Sequence, residues 1–363
     1  MTIQQNDVKA QLAQIVLPEL GQDLVSSNWV KSIEVDANQV KVRLVAGFPC
    51  SKAATDICQG IEQQLQTALS AESVSVELDW QVHSHSHKAG VNALPEVKNI
   101  IAIASGKGGV GKSTTTVNMA LALAAEGASV GILDADIYGP SQPIMLGREG
   151  ERPETLDQKR ILPVENYGIQ SMSIGYLIEP EQAMVWRGPM ASGALQQLLN
   201  DTQWKGLDYL LVDLPPGTGD IQLTLAQKVP LTAAVIVTTP QDIALADAVK
   251  GIAMFEKVSV PVLGVVENMG VHVCSNCGHA EHIFGAGGGE ALAQEKNMVF
   301  LGSLPLAKSI RDHADKGEPT VIAEPDGAIA DSYRQIARKM AARLSQQSKD
   351  FGQSFPTISI SND

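Results

Sequence analysis

The chain has 363 residues, 44% hydrophobic and 18% charged, which fits one or two globular domains and excludes wholesale disorder. Lys and Arg number 27 against 40 Asp and Glu, a formal net charge of −13. That balance argues against a broad nucleic-acid binder, because phosphate neutralisation needs clustered cations. No apolar run reaches the ~18 residues that span a bilayer. The first residues also lack the basic start and apolar stretch of a signal peptide, so a soluble, cytoplasmic protein is expected. Four cysteines in such a chain suit a reducing compartment, where a CxxC pair points to metal or redox chemistry.

The first part of the chain reads as a small α+β unit, residues 1–82. A helical stretch near Val8–Val16 stops before Pro18. Ile33–Val35 and Val40–Leu44 alternate with period two around Asp36-Ala37-Asn38, a hairpin signature. Ile57, Ile61, Leu65 and Leu69 then recur at helical spacing within Ala53–Leu69, and Val74–Leu78 returns to alternation. Residues 83–96 are polar, with Gly90, Asn92 and Pro95, and read as a linker.

From Val97 the texture changes to apolar strands alternating with helices. Ile100–Ala104, Val130–Leu133, Tyr209–Val212, Ala233–Val237, Val262–Val266 and Val299–Leu301 are expected strands, and Thr114–Ala125 is a helix closed by Gly127. Unbroken apolar strands of this kind belong to a parallel sheet covered on both faces, so residues 97–346 are expected to form an α/β domain. Residues 347–363 are polar and read as a flexible tail.

The segment Gly106-Lys107-Gly108-Gly109-Val110-Gly111-Lys112-Ser113-Thr114 follows a strand and opens a helix. It satisfies GxxxxGK[ST] in the context that gives the motif its meaning. Glycines let several N–H groups converge on one phosphate chain, and the helix N-terminus adds positive potential there. Lys112 is expected to neutralise β- and γ-phosphate charge, and the Ser113 hydroxyl to ligate Mg²⁺. The segment therefore implies a nucleoside triphosphate site. Asp213 ends a strand before Leu214-Pro215-Pro216-Gly217-Thr218-Gly219-Asp220, where a carboxylate can hold Mg²⁺ through a water. Asp134 and Asp136 follow the strand Val130–Leu133, at the sheet edge where ligands of open α/β folds bind. One of the pair could position the attacking water and the other support Mg²⁺.

The second lysine, Lys107 in GKGGVGKST, resembles the deviant Walker motif of the MinD/ParA/nitrogenase-iron-protein superfamily. Further segments narrow the likeness: Leu133–Pro143 (LDADIYGPSQP), Met184–Met190 (MVWRGPM), Asp213–Asp220 (DLPPGTGD), Thr238–Asp247 (TTPQDIALAD) and Glu267–His279 (ENMGVHVCSNCGH). Together, over roughly residues 97–345, they resemble the Mrp/ApbC family of iron–sulfur cluster carrier ATPases. The N-terminal unit also resembles the domain that precedes the ATPase in many bacterial members. It has Phe48-Pro49-Cys50 where some relatives carry Thr-Ser-Pro-x-Cys-Pro. The resemblance implies that Lys107 reaches the partner's nucleotide in a homodimer and that Asp136 positions the water. It further implies that Asn268 contacts adenine and that Pro305 lies in the base-lining loop. Arg187 falls in a family hallmark without a role that the residues themselves reveal.

Cys274-Ser275-Asn276-Cys277 lies between Gly270 and Gly278 and lets two thiolates grip one metal centre. A [4Fe-4S] cluster wants four, so two CxxC loops meeting across a two-fold axis would complete it. That symmetry agrees with the dimer implied by Lys107. A local zinc site using Cys274, Cys277, His279 and His282, a redox pair, and two structural cysteines are the alternatives. Cys50 and Cys58 read as structural, and His83, His85 and His87 as incidental members of a polar linker. Arg334, Arg338, Lys339 and Arg343 read as a solvated helix face rather than a membrane-surface helix.

The expected function is an ATPase that holds a [4Fe-4S] cluster between subunits, receives it from cluster donor proteins and delivers it to apo iron–sulfur proteins. ATP and Mg²⁺ are the expected cofactors, and neither nucleic acid nor membrane is an expected partner. A positioning or partitioning ATPase, and an ATP-dependent electron-transfer protein like the nitrogenase iron protein, are the competing classes. The CxxC loop and the acidic charge weigh against the first. The second takes its thiolates from separated single cysteines.

Overall fold

The structure is a computed structural model that describes residues 3–87, 93–157, 159–178, 188–274 and 276–349. Its first part holds α1 (Gln5–Leu12), β1 (Val16–Leu17), β2 (Gln22–Asp23), β3 (Val30–Asp36), β4 (Gln39–Ala46), α2 (Ala54–Leu69) and β5 (Ser73–Trp80). β3 and β4 form the expected antiparallel hairpin, and β5 joins β4 in parallel after α2 has crossed over. Period-two alternation decides which side is buried. Val40, Val42 and Leu44 enter a core shared with Ile61 and Leu65, while Lys41 and Arg43 face Glu77 and Asp79 in water. α1 stops at Leu12 instead of continuing to Val16, because Val16–Leu17 pair with Gln22–Asp23.

The second part begins with β6 (Val97–Ala104), α3 (Lys112–Ala125), β7 (Val130–Asp134), α4 (Gln142–Met145), β8 (Val164–Asn166) and β9 (Ile169–Ser173). It continues through α5 (Gly188–Asp201), β10 (Leu207–Asp213), α6 (Asp220–Lys228), β11 (Ala233–Thr238), α7 (Asp242–Lys257) and β12 (Val262–Glu267). Next come β13 (His272–Val273), β14 (Ala280–Glu281), α8 (Gly288–Glu295), β15 (Phe300–Ser303), α9 (Lys308–Asp315), α10 (Thr320–Ala323) and α11 (Ala328–Ser345). Among the described residues eight strands make one sheet, ordered β15-β12-β11-β6-β10-β7-β9-β8. Its neighbours run parallel except for the β8–β9 hairpin at one edge. This is the expected α/β fold with a mostly parallel, doubly covered sheet, preceded by a small α+β unit.

Alternate residues of each strand feed opposite layers. Ile101 and Ile103 of β6 pack into the layer holding Val117, Leu121, Ile336 and Met340 of α3 and α11. Ile100 and Ala102 enter the layer holding Leu195, Leu225 and Ile252 of α5, α6 and α7. The hairpin β8–β9 was not legible as apolar strand, since Ser171 and Ser173 occupy buried positions in it. Arg187 and residues 350–363 lie outside the described residues.

The N-terminal unit shares the α3/α11 layer: Leu44, Phe48 and Leu65 belong to the same buried cluster as Ile336 and Met340. A buried ion pair reinforces this seam. Glu126, at the C-cap of α3, is fully buried and accepts 2.6 Å from Arg338 Nη1 and 2.8 Å from the Lys52 backbone N–H. Arg338 also lies 3.6 Å from Glu19, so this arginine leaves the solvated face on which its helical spacing had placed it. The polar segment after Trp80 is likewise tied down. His85 is 3% exposed, pairs as a β-bridge with Lys349, and the Ser86 N–H donates to Ser348 at 3.1 Å.

Removing Arg338 leaves Glu126 charged and buried. Arg338→Ala should therefore lower the unfolding free energy by about 3 kcal/mol or more, seen as a fall in the urea midpoint. Arg338→Met combined with Glu126→Gln removes both charges and should cost less than Arg338→Ala alone. A double variant as unstable as the sum of its singles would show that the two charges do not compensate each other.

Candidate functional site

Parallel register determines where the site lies. Asp213 at the end of β10 aligns with both Ile103 of β6 and Asp134 of β7, so three strands finish side by side. The loop Gly106–Gly111 leaves β6 and enters α3, whose first N–H groups have no partner within the helix. Gly111 adopts φ +80° at the N-cap, and a Cβ there would strike the Asn268 amide. Gly106 lies against the backbone of Asp247 in α7, which leaves no room for a side chain. Both glycines are required by close approach, and Gly111 by its backbone angle as well.

Lys112 and Asp213 are the charged centre of this edge. The lysine is 6% exposed and the aspartate fully buried, and the ammonium hydrogen-bonds Asp213 Oδ1. Ser113 Oγ lies 3.2 Å from the same ammonium. Thr116 Oγ1 donates to Asp213 Oδ1 at 3.1 Å, and Gln142 Nε2 to Oδ2 at 2.9 Å. Asp134 is also fully buried, accepting from the backbone of Asp136, Ser141 and Gln142 and from Ser173 Oγ at 3.0–3.2 Å. Burial, reinforced by the Asp213 charge, holds its pKa above the ordinary carboxylate value. Asp136 is half-buried, and burial raises its pKa too, partly opposed by Lys112. Lys107 is half-exposed, and its ammonium makes no hydrogen bond or ion pair among the described residues.

Two cavities meet here. One of about 290 Å³ follows the phosphate loop and is lined by Lys107, Lys112, Ser113, Asp136 and Pro216. The other, about 380 Å³, is lined by Asn268, Met269, Pro305, Leu306 and Ile310, and both reach Gly111, Thr114, Ser141 and Met145. Asn268, just past β12, is held by the end of β11 and by the phosphate loop: its N–H donates to Thr238 O at 2.7 Å and its Nδ2 to Val110 O at 2.9 Å. Leu304 donates to Glu267 O at 2.8 Å, which brings Pro305 beside it. The result is a polar, phosphate-sized trough opening into an apolar slot.

The cysteines stand apart from this trough. β13 and β14 form a short antiparallel hairpin whose connection carries Cys274 and Cys277, closed by Cys274 N–H donating to His279 O at 2.9 Å. Cys274 is half-exposed and Cys277 exposed. Backbone N–H groups of Asn276 and Cys277 face the Cys274 sulfur and lower its pKa. His282 turns its Nδ1 to Gly270 O at 2.5 Å, and among the described residues no three Cys, His, Asp or Glu side chains converge as a metal site. Cys50 is fully buried, and burial pushes its thiol up to about 12; Cys58 is half-buried in α2 and its thiol is raised for the same reason.

Lys107, Lys112, Ser113, Asp136, Asp213, Asn268 and Pro305 are thus gathered at one edge of the sheet, with Cys274 and Cys277 on a separate hairpin. Thr116, Gln142 and Ser173 escaped the sequence reading although each binds Asp213 or Asp134. Thr116 alone left a signal, one helical turn beyond Lys112 on the same face.

Comparison with known proteins agrees with this geometry. The family described as a ParA-type NUBPL iron-transfer P-loop NTPase matches residues 96–341, and an iron–sulfur cluster assembly protein family matches residues 5–78. An iron–sulfur cluster carrier protein of Escherichia coli strain K12 is 51% identical, over 93% of this chain and 91% of its own. Another from Pseudomonas fragi is 60% identical, over 75% of this chain and 97% of its own. Among solved structures, a nucleotide-binding protein from Archaeoglobus fulgidus in complex with ADP is 38% identical with a TM-score of 0.56, over 64% of this chain and 90% of its own. The chain belongs to the Mrp/ApbC/NUBPL family of ParA/MinD-type P-loop NTPases, whose curated members are named iron–sulfur cluster carrier proteins.

Proposed function

We propose that this protein binds and hydrolyses ATP with Mg²⁺ and carries a [4Fe-4S] cluster between two copies of the chain, delivering it to apo iron–sulfur proteins. The observation that carries the reading is the cysteine hairpin: two accessible thiols with N–H groups aimed at one sulfur, and no third ligand converging on them among the described residues. A four-thiolate cluster then draws on a second copy. Val273 in the hairpin and Ile283 just after it, 52% and 50% exposed, are apolar surface suited to that contact.

On the nucleotide side, the apolar slot with Asn268 and Pro305 takes the base and the loop N–H groups take the phosphates. Phosphate oxygens would compete with Asp213 for Lys112; Ser113 and the Asp213 carboxylate are then the residues that would hold Mg²⁺, which would supply neutralisation of phosphate charge. Asp136 orients the attacking water, and Lys107 extends to the partner's nucleotide. Closing around ATP would change how the two hairpins face each other, and so the grip on the cargo. Among the described residues no helix is long and apolar enough to cross a membrane.

The decisive experiment is anaerobic reconstitution, iron and sulfide analysis, and transfer to an apo-enzyme with and without ATP. A bridging cluster gives about two irons per chain in a dimer. Cys274→Ala and Cys277→Ala should each lose the cluster yet keep ATP binding, whereas Cys50→Ala should retain it. Four irons per monomeric chain, or one tetrahedral zinc per chain, would overturn the proposal.

Nucleotide chemistry is tested separately. Lys112→Ala should abolish hydrolysis by removing the main phosphate counter-charge, and Lys107→Ala should impair it through the partner. Mixing Lys107→Ala chains with an inactive variant that keeps Lys107 should restore part of the activity. No recovery in demonstrated heterodimers would rule out action across the dimer.

A further inference from the structure

One carboxylate pins both ends of the loop between β7 and α4. Asp134 Oδ1 accepts the Asp136 N–H at 3.2 Å, and Oδ2 accepts those of Ser141 at 3.0 Å and Gln142 at 3.2 Å. Gln142 therefore opens α4 from a fixed root, with Pro143 behind it in the first turn. Its side chain is fully buried. From there Nε2 reaches two elements at once, donating to Asp213 Oδ2 at 2.9 Å and to Ser113 O at 3.2 Å.

The orientation of this amide follows from its partners. A backbone carbonyl and an ion-paired carboxylate both accept, so the reversed amide would set oxygen against oxygen twice. Oε1 is then left without a hydrogen-bond partner among the described residues. A methionine would fill a similar volume with no stranded acceptor, so packing alone does not account for a glutamine here. What the glutamine adds is the double donation. It ties α3 to β10 through Ser113 and Asp213, the two residues that would hold Mg²⁺.

The tie matters most once phosphate occupies the trough. Asp213 Oδ1 is shared by the Lys112 ammonium and Thr116 Oγ1, whereas Oδ2 is held by Gln142. A phosphate chain that draws Lys112 away removes the strongest of these three restraints. With Thr116 alone, the carboxylate would be free to turn about its Cβ–Cγ bond. We propose that Gln142 is a positioning residue for magnesium-dependent nucleotide binding, its amide fixing the Asp213 carboxylate relative to Ser113 once phosphate has taken Lys112. Gln142 lines neither of the two cavities, so it acts through Asp213 and not by touching the nucleotide. The inference rests on the reading of the trough as a Mg²⁺-nucleotide site.

Calorimetric titration of the full-length chain with ADP, once in EDTA and once in excess Mg²⁺, tests it. The quantity read is the ratio of the two dissociation constants. Gln142→Met keeps the volume and removes the donor. It should shrink that ratio about tenfold, the size of one charge-assisted hydrogen bond, while binding in EDTA persists. Gln142→Asn keeps an amide on an arm one methylene shorter, should shrink the ratio likewise, and gives a reading even if Gln142→Met folds poorly. In ATP hydrolysis both variants should need about tenfold more Mg²⁺ to reach half their maximal rate. A purely structural role predicts instead an equal loss of ADP affinity with and without Mg²⁺. That equal loss, or an unchanged ratio in a folded variant, would overturn the proposal while the wild-type chain still binds ADP more tightly with Mg²⁺. A wild-type chain that gains nothing from Mg²⁺ would overturn the reading of the trough, and this inference with it.

Discussion

Lys112 and Asp213 place opposite charges at the end of a sheet where water reaches neither well, and much of the architecture follows from the need to stabilise them there. A buried ion pair persists only when its remaining lone pairs and protons are also satisfied. Thr116 and Gln142 do this for Asp213, and backbone N–H groups with Ser173 do it for Asp134. The elements that bring those groups are α3, α4 and β9. The register of β6, β10 and β7 brings them to one edge, since a one-residue slip would turn either carboxylate to the opposite face. The same pair makes the site responsive, because a phosphate chain is a better partner for Lys112 than a shared carboxylate.

α3 links this centre to the N-terminal unit. Its first turn is the end of the phosphate loop, and its C-cap is Glu126, about 21 Å away for 14 residues. Glu126 holds Arg338 of α11 and the backbone of Lys52, so one helix bears on both the nucleotide trough and the seam. The Phe48-Pro49-Cys50 segment sits at this seam with its thiol buried, which accounts for it as packing.

The cysteine hairpin hangs from the same sheet edge. Asn268 and Met269 line the apolar slot, and Gly270 then hydrogen-bonds Leu304 O and, through its own carbonyl, His282. Only a few residues separate the slot from Cys274. The hydrogen bonds of Gly270 therefore tie the slot to the thiols over a short stretch of chain.

The sequence by itself determined the phosphate loop, since strand, glycines, Lys112 and Ser113 are contiguous, and it determined the parallel sheet through its apolar strands. The CxxC pair was legible for the same reason: its chemistry lies within four consecutive residues. What required tertiary structure was everything that depends on groups distant in the chain. Ser173 caps Asp134 from a strand whose polar residues disguised it, and Gln142 reaches Asp213 across 71 positions. Arg338 looked solvated on its own helix until Glu126, 212 residues earlier, was folded against it. His85 looked like part of a polar linker, yet Asn99 fixes its ring and Lys349 closes over it. Periodicity reports which face of an element is apolar; it carries no information about which buried polar groups will find one another, because that pairing is set by the packing of whole layers.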